Sequence, residues 1–198
     1  MKPAALGVHM HSGWGVLVAV SRESHSIELL DRRRIVVADS KIPGAIQPYH
    51  FAARLESSEQ EKHLAHCASS SCQLAATAIA EVIRELDARH YRIVGAAILL
   101  ASGRPLPPLA KILAAHPLIH TAEGEFFRHA AHSACEDLQI PVTTMRVREL
   151  DARAKMAFAN RARHVQSSIA SLGRSVGPPW TSDHKTAALA AALTLVRA

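Results

Sequence analysis

The chain reads as an α/β protein with a mixed five-stranded sheet, three antiparallel strands followed by parallel ones, and helices on both faces. Three observations predict this. Two runs rich in apolar and β-branched residues, Ala4-Ala5-Leu6-Gly7-Val8 and residues 14–20 (WGVLVAV), flank His11-Ser12-Gly13, whose Ser-Gly pair is turn chemistry. Residues 92–100 (RIVGAAILL) are nearly all apolar, as expected of a central strand buried on both faces. From residue 59 onward helical and strand patterns alternate, the signature of an α/β architecture.

Taken in order, residues 4–8 form the first strand and residues 14–20 the second. After a polar turn at 21–26, residues 26–38 form the third, with Ile27, Leu29, Ile35 and Val37 on one face by period two. Arg32, Arg33 and Arg34 sit in its middle, where charge suits an edge strand. Residues 39–53, with Pro43, Gly44 and Pro48, read as a loop. A helix over 59–90 carries its apolar stripe on Leu64, Ala68, Ala75, Ile79, Val82 and Leu86. The buried strand at 92–100 follows, then a loop with Gly103, Pro105, Pro107 and Pro108. A short helix should stop at His116, because a residue before proline avoids the α region. Thr121 is placed to cap a second helix over 122–138, with Phe127, Ala131, Ala134 and Leu138 as its apolar stripe. A fifth strand is expected at 141–150. From Asp151 the chain is helical, broken at Gly177-Pro178-Pro179 and resumed near Ser182 or Asp183 as far as Val196.

With 198 residues and 48% hydrophobic content, the chain suits one domain spanning 1–198 with a sizeable core. A net charge of +6 permits nucleic acid or another polyanion as a partner without requiring one. Cys67, Cys72 and Cys135 are an odd set without framework spacing, so reduced, packed thiols and a cytoplasmic location are expected. His9, His11, Ser12 and Gly13 interrupt the apolar N-terminus, which argues against a signal peptide. No apolar run is long enough to span a membrane.

The opening Leu6-Gly7-Val8-His9-Met10-His11-Ser12-Gly13-Trp14-Gly15-Val16 resembles the first hairpin of RuvC-type resolvases and of the related actin-like kinases. The tail Asp183-His184-Lys185-Thr186-Ala187-Ala188-Leu189-Ala190 resembles the final helix of RuvC-type nucleases. With the order of elements, the resemblance implies a ribonuclease H-like fold over nearly the whole chain. It also implies a carboxylate cluster holding two divalent ions for phosphodiester cleavage. Here the chain departs from the family. His9 stands at the first-strand aspartate, residues 92–100 carry no carboxylate, and the last-helix aspartate falls near Ala187, one turn after Asp183 and His184. One aspartate and two imidazoles make a poor magnesium site but suit zinc or manganese.

Each candidate site residue also has a simpler structural role open to it. His9 and His11 are two apart, so a strand puts both on one face at the end of the sheet, where sites in open α/β sheets form; with Ser12 and Gly13 they also suit a plain turn. Glu123 heads the apolar stripe four residues before Phe127, as a first-turn acid favoured by the helix dipole or as a ligand or base at the sheet end. His120 belongs to the same stretch. Glu125, His129, His132 and Glu136 share another face and suit a solvated surface with local ion pairs. His63, His66 and Cys67 have zinc-like chemistry but no second ligand pair at matching spacing. Arg146 and Arg148, two apart on the expected fifth strand, and Arg153 beyond it form a basic face for phosphate contacts or for solvent.

Three functions follow. The first is a non-catalytic binding or interaction protein that kept the scaffold and lost the metal-binding acids, its partner a protein, nucleic acid or a second copy of the chain. The second is a metal-dependent phosphoryl-transfer or nuclease-type hydrolase using a divalent metal ion, with His9, Glu123, Asp183 and His184 as catalytic residues and His11, Ser12, Gly13 and His120 beside them. The third is a basic nucleic-acid binder acting through Arg146, Arg148 and Arg153.

Overall fold

The computed structural model describes residues 1–23, 26–100 and 105–196. Part of the turn expected at 21–26, and Gly103 of the expected loop, lie outside the described residues. The sheet has the order β3-β2-β1-β4-β5, built from β1 (Lys2–His11), β2 (Trp14–Glu23), β3 (Ser26–Val36), β4 (Tyr91–Leu100) and β5 (Val142–Arg146). β1 pairs antiparallel with β2 and parallel with β4, β2 pairs antiparallel with β3, and β4 pairs parallel with β5. The first hairpin closes over two residues, Ser12 and Gly13, with His11 opposite Trp14. Gly13 takes a φ of 77°, which favours a residue without Cβ, and its carbonyl accepts the N–H groups of Val37 and Ala38 beyond β3.

Two cores lie on the two faces of the sheet. On one, Leu6, Val8, Leu17 and Ile98 pack against α2 (Ser57–Ala88) and α4 (His116–Asp137). On the other, Ala5, Val16, Val18 and Leu99 pack against α5 (Leu150–Phe158), α6 (Ala162–Val176) and α7 (Ser182–Leu195). Two five-residue helices, α1 (Pro48–Ala52) and α3 (Leu109–Leu113), pack on α4. Among the described residues no helix is long and apolar enough to cross a membrane.

Several local expectations are corrected. β3 does not keep one period: its register shifts where Ala19 faces Asp31 and Val20 faces Leu29. The inserted residue turns the strand over. Ile27 and Leu29 therefore pack toward α7, while Leu30, Ile35 and Val37 join the α2 side. The same alternation divides the arginines. Arg33 reaches Glu85 and Asp31 at 2.6 Å each. Arg32 donates to the carbonyls of Val176 at 2.7 Å and Gly177 at 2.9 Å, and to those of Pro178 and Pro179, satisfying the open C-terminus of α6. Pro117 does not end a helix; it lies in the first turn of α4, where its missing N–H costs nothing. Thr121 is thus no N-cap, since its hydroxyl donates to the Pro117 carbonyl within the helix. β5 stops at Arg146, and a 3-10 turn at Val147–Glu149 leads into α5, so Arg146 and Arg148 do not share a strand face.

Candidate functional site

The site is set by how closely α7 approaches β1. α7 is Ala-rich and buried from Ala187 to Thr194, the composition of a helix enclosed on every side. At Gly7 a Cβ would lie 2.7 Å from the carbonyl carbon of Ala187 and nearer still to its oxygen, so glycine is needed for the contact. Gly95 of β4 leaves room for the side-chain methyl of Thr194, two turns further along. The N-terminus of α7 is fixed by a capping box, in which Thr181 and His184 satisfy each other's backbone and side-chain groups. One turn before Ala187, Asp183 is thereby held over the end of β1.

His9 and His11 project from the end of β1 onto that carboxylate. His11 Nε2 lies 3.0 Å from Asp183 Oδ2, and His9 Nδ1 lies 3.5 Å from Oδ1. His9 Nδ1 is also 3.2 Å from the Thr186 hydroxyl. That hydroxyl also donates to the Asp183 carbonyl at 3.0 Å, which fixes it beside the imidazole. A stack extends outward: His9 to His11 at 5.2 Å, His11 to Trp14 at 4.4 Å, and the Arg34 guanidinium 4.5 Å above the Trp14 ring. Burial pushes His9 below the ordinary imidazole range, against the attraction of Asp183, and His11 and Arg128 add to the depression.

Arg128 was not anticipated. It reaches from α4 to donate to the Leu99 carbonyl at 3.0 Å, near the carboxyl end of β4, with Glu125 at 3.7 Å. Gly124 makes room for it, since a Cβ there would meet its guanidinium at 2.7 Å. Burial lowers its pKa, partly offset by Glu125. The sequence signal was an arginine one residue beyond the stripe position Phe127, with a glycine one turn before it.

The remaining predicted residues divide. Ser12 is exposed and Gly13 serves the turn. His184 stays in the helix cap, its Nδ1 2.8 Å from the Thr181 hydroxyl and its ring 5.6 Å from that of Trp180. Burial lowers its pKa, Arg32 adding to the effect and Asp183 opposing it. Glu123 lies two turns into α4, not in its first turn, and does not face His9. It is buried and accepts the His50 backbone N–H at 3.1 Å. His120 gathers with His50 and His116 instead of with His11. Arg146 and Arg153 both pair with Glu149, at 3.4 and 3.0 Å, while Arg148 is exposed. His132 Nδ1 lies 3.2 Å from the Glu136 carboxylate, a local contact along that face. His63 Nε2 meets Cys67 Sγ at 3.5 Å within α2.

The architecture is similar to that of Thermus thermophilus RuvC in complex with a Holliday junction substrate, with a TM-score of 0.53 and 13% identity over 98% of this chain and 92% of that one. It is similar also to a second Thermus thermophilus RuvC structure, with a TM-score of 0.51 and 14% identity over 96% and 92% of the two chains. The fold is ribonuclease H-like. No protein-family model matches the sequence, and no curated protein matches it significantly.

His9, His11 and Asp183 each offer a ligand atom within 4.8 Å of the others. Two imidazoles and a carboxylate fit a borderline ion such as zinc or iron better than magnesium, which prefers oxygen. Two clefts flank the group. One, of about 400 Å³, has Trp14, Arg32, Arg34, Asp183 and His184 in its walls. The other, of about 380 Å³, runs between α7 and α6 past Arg148, Lys185 and Thr186.

Proposed function

We propose that residues 1–198 act as one domain, a diverged nuclease-type protein that acts on phosphodiesters with a single divalent ion held by His9, His11 and Asp183. The observation that carries this reading is the convergence of those three side chains beside the end of β4. A neutral His9 is ready to serve as a ligand, and burial favours the neutral form. Such an ion would supply Lewis acidity toward a phosphoryl oxygen. Around it, Thr186 orients His9, and Trp14 holds the His11 ring from the other side. Arg128 contributes a positive charge near the end of β4, whose own residues carry no carboxylate. A fixed guanidinium there disfavours a second cation and can itself receive charge developing on a phosphate.

Nucleic acid is the substrate class. The similar RuvC is bound to a Holliday junction, this chain carries a charge of +6, and Arg34, Arg148 and Lys185 border the two clefts beside Asp183 and Thr186. The absence of a β4 carboxylate favours a second reading, binding of nucleic acid without cleavage.

The test is cleavage of labelled single-stranded, duplex and four-way-junction DNA in zinc, manganese or magnesium, with Trp14 fluorescence reporting occupancy beside His11. We expect manganese or zinc to support cleavage and Asp183→Asn to lose at least about 100-fold of it, by the usual scale of an essential catalytic group. Metal-dependent fluorescence and DNA binding without cleavage would select the second reading. No metal response and no DNA binding would overturn both.

A further inference from the structure

A second group of ligands lies away from His9, at the junction of α1 with the first turns of α4. His116, His120 and Glu123 follow an i, i+4, i+7 spacing, which puts all three on one helical stripe. α1 brings His50 against that stripe. Its ring centroid lies 5.2 Å from that of His116 and 4.8 Å from that of His120, and the two α4 rings are 4.4 Å apart. Each of the three imidazoles offers a nitrogen within 4.8 Å of the others.

The decisive residue is Glu123. Only 2% exposed, it holds a carboxylate inside the protein and directs one oxygen at His50. Glu123 Oε1 takes the His50 backbone N–H at 3.1 Å and lies 3.0 Å from Nδ1 of the same residue. That Nδ1 is shut from solvent and has no aligned hydrogen-bond acceptor, and the Glu123 oxygen is the carboxylate oxygen beside it. A buried carboxylate facing one nitrogen of a histidine is the arrangement that orients metal-bound imidazoles, leaving the other nitrogen as ligand and strengthening its basicity. A small apolar cluster of Ile112, Ile119 and Ala122, with Tyr49 packed on it, fixes α1 against α4 beneath the rings.

We propose that His50, His116 and His120 bind one zinc-class divalent ion, with Glu123 orienting His50. Three imidazoles on a borderline ion, two of them on exposed residues, describe a site with a free coordination position for water or an anion. It is separate from the His9 site and does not depend on the function proposed for it.

The test is cobalt(II) binding to the chelator-stripped full chain, read by visible absorption and by competition with a chromophoric chelator. It is carried out in a His9→Ala/Asp183→Asn background that removes the other ligand set. We expect one equivalent of cobalt with a strong ligand-field band, displaced by zinc. His116→Gln/His120→Gln should abolish the band while far-ultraviolet circular dichroism is unchanged, because both side chains are exposed. Glu123→Gln should weaken affinity about 10- to 100-fold, the scale for the carboxylate partner of a ligating histidine. No binding in the background protein, or a band that survives His116→Gln/His120→Gln, would overturn the proposal. If the background protein binds cobalt but wild type shows no metal response at Trp14, the second site stands and the His9 reading fails.

Discussion

Replacing Gly7 by alanine tests whether the close approach of α7 to β1 builds the His9–His11–Asp183 group. The added Cβ would lie 2.7 Å from the carbonyl carbon and 3.2 Å from the Cα of Ala187. Ordinary contact begins near 3.4 Å, so α7 must retreat by at least about 0.7 Å. The obstacle is backbone, which cannot rotate aside, so the cost falls toward the upper part of the overpacking range, about 2–3 kcal/mol. In urea, with a slope of about 2 kcal/mol/M, the midpoint should fall by roughly 1–1.5 M. The same retreat stretches the 3.0 Å contact between Asp183 and His11 beyond hydrogen-bond range. Metal-dependent fluorescence of Trp14 should weaken with it. Ala187→Gly should not rescue the variant, because the clashing atoms are main chain. A midpoint within about 0.3 M of wild type, or full rescue by Ala187→Gly, would refute the reasoning.

Other outcomes follow from particular contacts. Asp183→Asn should lower the His9 pKa further and Arg128→Met should raise it, since the first removes an attraction and the second a repulsion; histidine NMR titration reads both. His9, His63 and His184 are all depressed mainly by burial, so below the ordinary value of 6.5 the unfolded chain binds more protons than the native one. Stability should therefore be level above pH 6.5 and fall as pH drops through the lowered native values, and a melting temperature that rose on acidification there would contradict this. Arg32→Ala strips donors from the carbonyls of residues 176–179 and should cost about 1.5–3 kcal/mol in urea unfolding, with α6 and the chain leading to α7 losing amide protection first. Glu123→Ala leaves the His50 N–H unpaired and opens a buried space, and should cost about 1–3 kcal/mol by the same measurement.

Much of this was legible in the chain. The nearly unbroken apolar run of β4 marks a strand covered on both faces, and α4's stripe of Phe127, Ala131 and Ala134 is buried as its spacing requires. His9, His11 and Asp183 were identifiable because the turn after β1 and the Ala-rich last helix fix where they must lie. What escaped was decided by tertiary context. A single inserted residue in β3 reverses which side chains face α2, and periodicity counted across it misplaces Leu29. Pro117 reads as a helix end but sits in a first turn, and that reading hides the helical alignment of His116, His120 and Glu123. α1 is only five residues long and lies in a Pro- and Gly-bearing loop, so nothing local announces that His50 will meet them. Arg128 gains its position from a neighbouring glycine and a strand carbonyl, neither of which a periodicity count registers.

On the proposed reading His9, His11 and Asp183 hold one borderline divalent ion where the ribonuclease H-like resemblance implies a carboxylate cluster. Crystals grown with zinc in excess of two equivalents, enough for this group and for His50, His116 and His120, decide the point by anomalous diffraction at the zinc edge. A peak is expected among the three side chains at about 2.0–2.1 Å from the histidine nitrogens, lost in Asp183→Asn. Crystals that hold zinc elsewhere while Asp183 keeps its direct contacts with His9 and His11 would contradict it.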